Sequence, residues 1–564
     1  MEFFRNCLRW TYRFFWYSLV GLILSIAVVI SILRVFPPDV EVYRERVEQL
    51  ASTVIETSVR IGSMDARIAG FTPQVIFNDV ILLDAKGEQE IVRFEKASLE
   101  IDLLRSLVSS KLIPDSFTIH GVNLSIIRQQ DGTFVIKGLD LSKVGQQLET
   151  TQELAKPASN ELSRWLFERS ELAIKDSSVV WIDEIHGKKT RHFQHVNFFI
   201  RNDGQRHQLT GTVQLPDELG RDIKVDVDFT GNILDPLKWQ GRFYANGKGL
   251  QIVNWGIKPE HEDTSIDAGV IDLELWGVWK AGRIEEVSAG IAGYDMDIRF
   301  HKDSLPFYVS LASGQFHWQR QTSGWLLNID DFRYHDSKRD WPASDISVRY
   351  EVASDNTETL KGYSSFVRIG NVRRILLESR LMEKNIQETL AGLNPSGDLA
   401  NLYFGYTKRQ EQQTQYYLST GFKDLTIEAW KKIPGFASID GQLQLNHEAG
   451  QLQLENSVAS VELPSLFRQP FEITRLDAAV WWWHHNGAWH IKSDNIYLST
   501  TDIDSDLALA LTIPDNNTSP YLDMQVRYVN GDARQAWRYY PVSIMDKALI
   551  DWLDNAIVDG RVTG

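Results

Sequence analysis

The chain has 564 residues, enough for about three or four ordinary domains at roughly 150 residues each. Hydrophobic residues at 43% and charged residues at 24% match globular averages, which excludes wholesale disorder and a polytopic membrane protein. Asp plus Glu (75) exceed Lys plus Arg (59), giving a net charge of −16 and a pI near 5.4, so broad attraction to phosphate backbones is excluded and nucleic acid is not an expected partner.

The first element is apolar. Phe14 to Leu33 is free of charge and, as a helix, spans about 30 Å, the thickness of a bilayer core. Leu19, Leu22, Ile23, Ile26, Val29, Ile30 and Leu33 form its apolar body. Arg5, Arg9 and Arg13 precede it, Trp10, Tyr12, Trp16 and Tyr17 mark one interface, and Arg34 with Pro37-Pro38 ends it. The span is too long for a cleaved signal core and reads as a retained anchor at 14–34, with a cytoplasmic tail at 1–13. Everything beyond then lies across the membrane, in the periplasm if the cell is Gram-negative. Cys7 is the single cysteine, so no intramolecular disulfide and no cysteine metal site is expected.

Val40, Tyr43, Val47, Leu50 and Val54 recur at helical spacing and predict an amphipathic helix within 35–58 that caps the first strands. From Val59 the pattern changes to period two, as in Asp222 to Phe229, Ile271 to Leu275, Gln442 to Leu445 and Gln451 to Glu455. Asp131-Gly132, Asp203-Gly204, Asn246-Gly247, Asp440-Gly441 and Asn486-Gly487 read as hairpin turns, so the fold class is mainly β, with antiparallel meanders. A β region at 59–140, a connection with a short helix at 141–170 and an extended β region at 171–540 are expected. Helices are expected at Glu161 to Arg169, about Met382 to Leu390, and Val542 to Ile557 within the closing 541–564. So many strands with so few helices leave apolar faces to bury, in a sandwich, a barrel, or a curved sheet holding apolar cargo.

Chemical motifs are weak. Gly241 to Gly249 has the wrong glycine spacing for a phosphate loop, and Asp502, Asp504 and Asp506 lack the glycine and glutamate of a calcium loop. His186, His192 and His195, and His484, His485 and His490, have no metal-site spacing, so no metal or cofactor is expected. Trp481 and Trp483 share one strand face and Trp482 the other, a pattern of packing or interface. No nucleophile elbow, dinucleotide fingerprint or carboxylate pair stands out, and the chain does not read as an enzyme.

Several stretches carry a resemblance. Val59-Arg-Ile-Gly62, Pro73 to Asp84, Ile101 to Leu107 and Gly121 to Arg128 resemble the opening of the AsmA-like superfamily. Val180-Trp-Ile-Asp183, Arg206 to Pro216, Trp239 to Tyr244, Leu393 to Gly397 and Tyr540-Pro541 to Gly560 are similar, in order, to its YhdP type. Proteins of that type are considerably longer, so the chain reads as their amino-terminal portion. The resemblance implies a long, curved antiparallel β-sheet forming an apolar groove, anchored by one inner-membrane helix with its bulk in the periplasm. It also implies transport of phospholipid between inner and outer membranes, maintaining outer-membrane lipid homeostasis with an outer-membrane or periplasmic protein partner. Candidate groove positions are Val225, Val227, Phe229, Ile271, Leu273, Leu275, Leu443, Leu445, Leu452 and Leu454, each of which suits an ordinary sheet core as well. The competing reading is a scaffold or chaperone for outer-membrane protein assembly that works through exposed strand edges.

Overall fold

The computed structural model describes residues 2–55, 58–69, 72–83, 90–109, 113–130, 134–136, 170–184, 189–231, 238–255, 264–336, 340–379, 382–409, 413–431, 433–456, 458–516 and 518–564. The expected helix at Glu161 to Arg169 and the Asp131-Gly132 turn lie outside them. Two compact units are present, Met1–Asn254 with Asp272–Glu285, and Trp255–Ile271 with Glu286–Gly564.

The first unit opens with helix α1 (Glu2–Val35), whose segment Trp10–Ile32 is long and apolar enough to cross a membrane. Ser25 and Ser31 return their hydroxyls to the carbonyls of Gly21 and Ala27 at 2.8 and 2.7 Å, which hides both donors inside the apolar stretch. Leu22, Ile23 and Val29 are exposed and Leu19 and Ile30 partly so; the side chains of Ile26 and Leu33 lie outside the described ones.

A short 3-10 turn (Glu41–Tyr43) leads into α2 (Arg44–Ile55) beside strand β1 (Val59–Ala69). Val40, Val47 and Ala51 pack on a core of Val59, Ile61, Met64, Val80, Leu82 and Val92. Tyr43 and Leu50, expected on that apolar stripe, are 59% and 62% exposed, because the 3-10 start rotates the stripe away from them. The polar side chains of this segment close the outer edge of β1. Ser52 Oγ accepts from Val59 N at 2.9 Å, Glu48 from Ile61 N at 2.6 Å and Glu41 from Met64 N at 2.8 Å, while Arg44 donates to Gly62 O at 3.1 Å. Amides that would otherwise template another strand are thereby occupied.

β2 (Thr72–Leu83) and β3 (Glu90–Ile101) continue the antiparallel meander. Asp102 then caps α3 (Leu103–Ser109), accepting from Arg105 N at 3.0 Å. β4 (Pro114–His120) and β5 (Asn123–Arg128) depart from the expected antiparallel order, both pairing in parallel with β7 (Glu171–Asp183), while β6 (Phe134–Ile136) pairs with β5. β8 (Lys189–Asp203), β9 (Arg206–Gln214), β10 (Asp222–Thr230) and β11 (Gln240–Gln251) resume the meander.

The second unit is a longer meander. β13 (Arg283–Arg299), β14 (Phe307–Gln321), β15 (Gly324–His335), β16 (Asp340–Val352) and β17 (Glu358–Arg368) pair in sequence. Helices α4 (Ile369–Ser379) and α5 (Lys384–Leu393) interrupt it; α4 has no counterpart in the sequence reading, and α5 replaces the helix placed near Met382 to Leu390. β18 (Ser396–Lys408), β19 (Gln415–Ile427) and β20 (Gly435–Asn446) follow. β20 pairs with both β21 (Ala449–Asn456) and β22 (Ala459–Glu462), which share β23 (Phe471–His485). β24 (Ala488–Thr500), β25 (Asp504–Pro514) and β26 (Tyr521–Val529) complete the order. The expected helix at Val542 to Ile557 is confined to α6 (Lys547–Ala556), started by Asp546, which accepts from Ala548 N at 2.8 Å.

Many ladders shift register near mid-strand. Asp176, His195, Asp331, Asn401, Asp424 and Ser438 sit there in the left-handed region at φ 46° to 54°, the mark of bulges that bend a strand and increase its twist. An amide freed by the bulge finds a side-chain oxygen on the next strand. Asp176 N donates to Asn197, Asp331 N to Asp345, Asp424 N to Asp440 and Ser438 N to Thr426, at 2.7 to 3.2 Å.

Two expected turns are corrected by this geometry. Asp440-Gly441 lies inside β20, where Asp440 serves the bulge and a Cβ at Gly441 would stand 2.1 Å from Gln453 O. Asn246-Gly247 lies inside β11. Asn486-Gly487, at φ 51° and 70°, is a true hairpin turn, and Gly204 at φ 64° occupies another.

Replacing Glu48 by Ala removes the acceptor of Ile61 N and is expected to speed exchange of that amide by about tenfold, equivalent to ~1–2 kcal/mol, as read by hydrogen–deuterium exchange. Asp440→Ala strands the Asp424 amide and should lower unfolding stability by about 1–3 kcal/mol in a denaturant titration, whereas Asp440→Asn keeps most of it.

Candidate functional site

Directly opposed residues of an antiparallel ladder share a face, so register sorts each unit into two surfaces. In the first unit Val225 lies opposite Gly211 and Ala245, Val227 opposite Leu209 and Phe243, and Phe229 opposite His207 and Gly241. The intervening Lys224, Asp226 and Asp228 oppose Thr212, Thr210 and Gln208 on one neighbour and Asn246, Tyr244 and Arg242 on the other. One surface is apolar, the other charged.

Strand β12 (Ser265–Lys280) extends the division. A Cβ at Gly277 would stand 2.3 Å from the Phe243 ring, and Trp279 packs 5.7 Å from the same ring, which places Leu273 and Leu275 on the apolar side. Glu274 is on the charged side, accepting from the Tyr244 hydroxyl at 2.8 Å. Ile271 precedes the two leucines in the alternation and is partly buried. Val225, Val227, Leu273 and Leu275 are also only partly buried, whereas Phe229 is buried between His207 and Trp239 at ring distances of 4.9 and 4.2 Å.

The second unit repeats the arrangement. Leu443 lies between Thr420 and Leu452, and Leu445 between Leu418 and Gly450. Leu452 opposes Val480 and Leu454 opposes Ala478, and the surface runs on through Ile491, Leu511 and Leu522. Gln442, Gln444, Gln451 and Gln453 occupy the reverse, with Gln451 donating to Gln444 at 2.9 Å. A Cβ at Gly450 would stand 2.2 Å from the Trp482 ring, so the absent side chain lets the indole lie flat on the apolar surface. Trp481 and Trp483, each 38% exposed, lie on the polar reverse.

The bulge line divides this apolar surface. On one side Phe307, Val309, Tyr334 and Trp341 are buried beneath Val372 and Ile375 of α4, with Arg374 seated 4.7 Å over Phe307. Phe422, Ile439, Ile473 and Leu476 are buried farther along, and Tyr539 stacks at 5.4 Å on Phe471. On the other side Leu327, Val348, Phe404, Leu418 and Leu445 are only partly buried, Leu443 and Leu452 pack against the margin of the Phe422 cluster, and none of the seven is among the residues packed with α4.

Polar side chains elsewhere pair with one another. His484 meets Asp515 at 2.7 Å, His490 meets Thr512 at 3.3 Å and stacks on Trp483, and His195 lies 3.7 Å from Asp176. Asp502 pairs with Arg538 and Asp506 with Arg527, so these aspartates diverge to different partners. Among the described residues no group of three His, Cys, Asp or Glu is placed to hold a metal. On the charged surface the Arg206 guanidinium, with Arg242 beside it, holds the Asp228 carboxyl below the usual range. Ser265 and Arg299 do the same for Asp267, and Ser499 and Asn530 for Asp504.

The sequence pattern described as YhdP protein matches residues 1–564. The chain belongs to the YhdP family. A relative in Escherichia coli (strain K12), the intermembrane phospholipid transporter YhdP, is 22% identical over 374 residues, which is 64% of this chain. The match spans 29% of that relative's length. An N-terminal apolar helix and a long antiparallel sheet are what this YhdP-family chain presents as structure.

Depressed carboxyl pKa values contribute stability that is complete above the unfolded value near 4 and is lost as pH falls through the folded values. Thermal unfolding should therefore be steady from neutral pH down to about 5 and fall steeply below about 4. Asp228→Asn should shallow that acid limb. Gly450→Val, which displaces the Trp482 ring, should cost about 1–3 kcal/mol in urea unfolding.

Proposed function

We propose that this chain is part of a membrane-anchored conduit carrying phospholipid between the inner and outer membranes of a Gram-negative envelope. The observation that carries the reading is an apolar surface in each unit that continues from strand to strand and that, over part of its extent, has no helix packed on it among the described residues. Such a surface is costly in water unless occupied. The Escherichia coli relative, an intermembrane phospholipid transporter, suggests the cargo class. Helix α1 holds the chain in the inner membrane in one pass, with the sheet in the periplasm.

The energetics fit that cargo. A diacyl lipid with roughly 30 methylenes, at ~0.8 kcal/mol each, forfeits about 24 kcal/mol on entering water, so free diffusion across an aqueous gap is negligible. An apolar trough replaces water around the chains at every step while the headgroup stays solvated. No covalent chemistry is required. An assembly scaffold works through open strand edges, yet the outer edge of β1 is already occupied by Glu41, Glu48 and Ser52.

Leu273→Asp in the first unit and Leu445→Asp in the second place a carboxylate on the apolar surface. Each should reduce phospholipid recovered with the detergent-purified, folded protein by at least about tenfold, one buried charge outweighing several methylenes. Glu274→Gln, on the charged surface, should leave recovery unchanged. Lipid mass spectrometry reads all three, and normal lipid content in the folded aspartate variants rules out the assignment.

A further inference from the structure

The open half of the second unit's apolar surface ends in a row of aromatic side chains. Register places Trp318, Trp325, Tyr350, Tyr406, Tyr416, Trp482 and Trp489 on the apolar side, on β14, β15, β16, β18, β19, β23 and β24, near the hairpin turns at one end of the meander. Trp325 and Tyr350 are 5.9 Å apart. Tyr406 and Tyr416 are 38% and 47% exposed, and the other five are partly buried. The opposite end is different in kind: Tyr334 and Trp341 there are buried under α4.

The row is amphipathic. Among the described residues the Tyr406 and Tyr416 hydroxyls and the Trp325 and Trp482 indole N–H groups make no hydrogen bond, whereas the Tyr244, Tyr308 and Tyr363 hydroxyls on the polar surface are bonded to Glu274, Asp295 and Asn401. His447 lies in the same row, its ring 6.3 Å from that of Tyr416, and its Nδ1 is buried without a hydrogen-bond partner. Trp and Tyr with polar groups left unbonded by the protein, beside an apolar surface, are the residue types enriched at the glycerol and headgroup level of a bilayer.

Resting on the conduit reading, we infer that this aromatic row fixes lipid orientation: acyl chains lie along the strands with their ends toward the bulge line, and the headgroup and ester carbonyls sit at Tyr406, Tyr416, His447 and Trp482. Dimensions agree. The open part of β20 from Gly441 to Asn446 is roughly 20 Å long at ~3.3 Å per residue, and one leaflet of a bilayer core is about 15 Å deep. Chains lying along the row instead would leave the donors unused.

The test uses the full chain in detergent, loaded with a diacyl phosphatidylethanolamine carrying a diazirine either on its headgroup or at the end of one acyl chain. Adducts are mapped by peptide mass spectrometry. The headgroup probe should label Tyr406, Tyr416 and Trp482 at least about fivefold over Leu443 and Leu452, and the chain-end probe should reverse that ratio. Equal labelling of both zones by both probes overturns the orientation and leaves the conduit standing. No labelling of either zone by either probe overturns both. A Tyr416→Leu, Trp482→Leu variant keeps apolar area but removes the donors; it should retain chain labelling at Leu443 while headgroup labelling of the row loses its preference. An unchanged headgroup position in that variant also overturns the inference.

Discussion

The alternation of apolar and polar side chains along each hydrogen-bonded strand is the constraint from which the other features follow. A one-residue slip would turn Val225, Val227 and Phe229 to the charged surface and Lys224, Asp226 and Asp228 to the apolar one. Opposed pairs such as Leu443 with Leu452 and Gln444 with Gln451 reinforce the same register on both faces. Bulges add an odd residue, which by itself would invert the alternation beyond it. The left-handed Asp, Asn and Ser residues absorb that inversion, so Leu425 remains on the same side as Leu418, and Phe436 on the same side as Leu443.

The bulges also divide one sheet surface into two parts that differ in cover. Between the bulge line and the segments carrying α4 and Tyr539, the surface is an ordinary hydrophobic core whose burial stabilises the unit. Between the bulge line and the aromatic row, the same residue types remain half-exposed, and their stabilisation depends on what fills the space. On the conduit reading proposed above, stability and cargo handling are divided along each strand and need not compete for the same residues.

Much of this was legible in the sequence, because period-two patterning reports directly on strand faces. The placement of Leu273 and Leu445 opposite in sense to Glu274 and Gln444 follows from alternation alone, as does the split of Trp482 from Trp481 and Trp483. What was not legible depends on contacts distant in sequence. Asp440-Gly441 has the composition of a hairpin turn, and only its neighbour Asp424 reveals it as a bulge support. Tyr43 and Leu50 fit a helical period that begins one turn too early. The aromatic row is hidden in the sequence because its members are separated by whole hairpins; aromatic residues near alternate turns are its only trace there.

The closed edge of β1 bears on how such a sheet is assembled from its chain. Nearly every later strand pairs with the one made just before it, so each addition closes a short loop at low entropic cost. With Glu41, Glu48 and Ser52 occupying the outer amides of the first strand, incoming strands have a single growing face on which to add. A sheet extended in that order, like a zipper with one end sewn shut, is protected at its oldest edge while its newest one waits for the next hairpin.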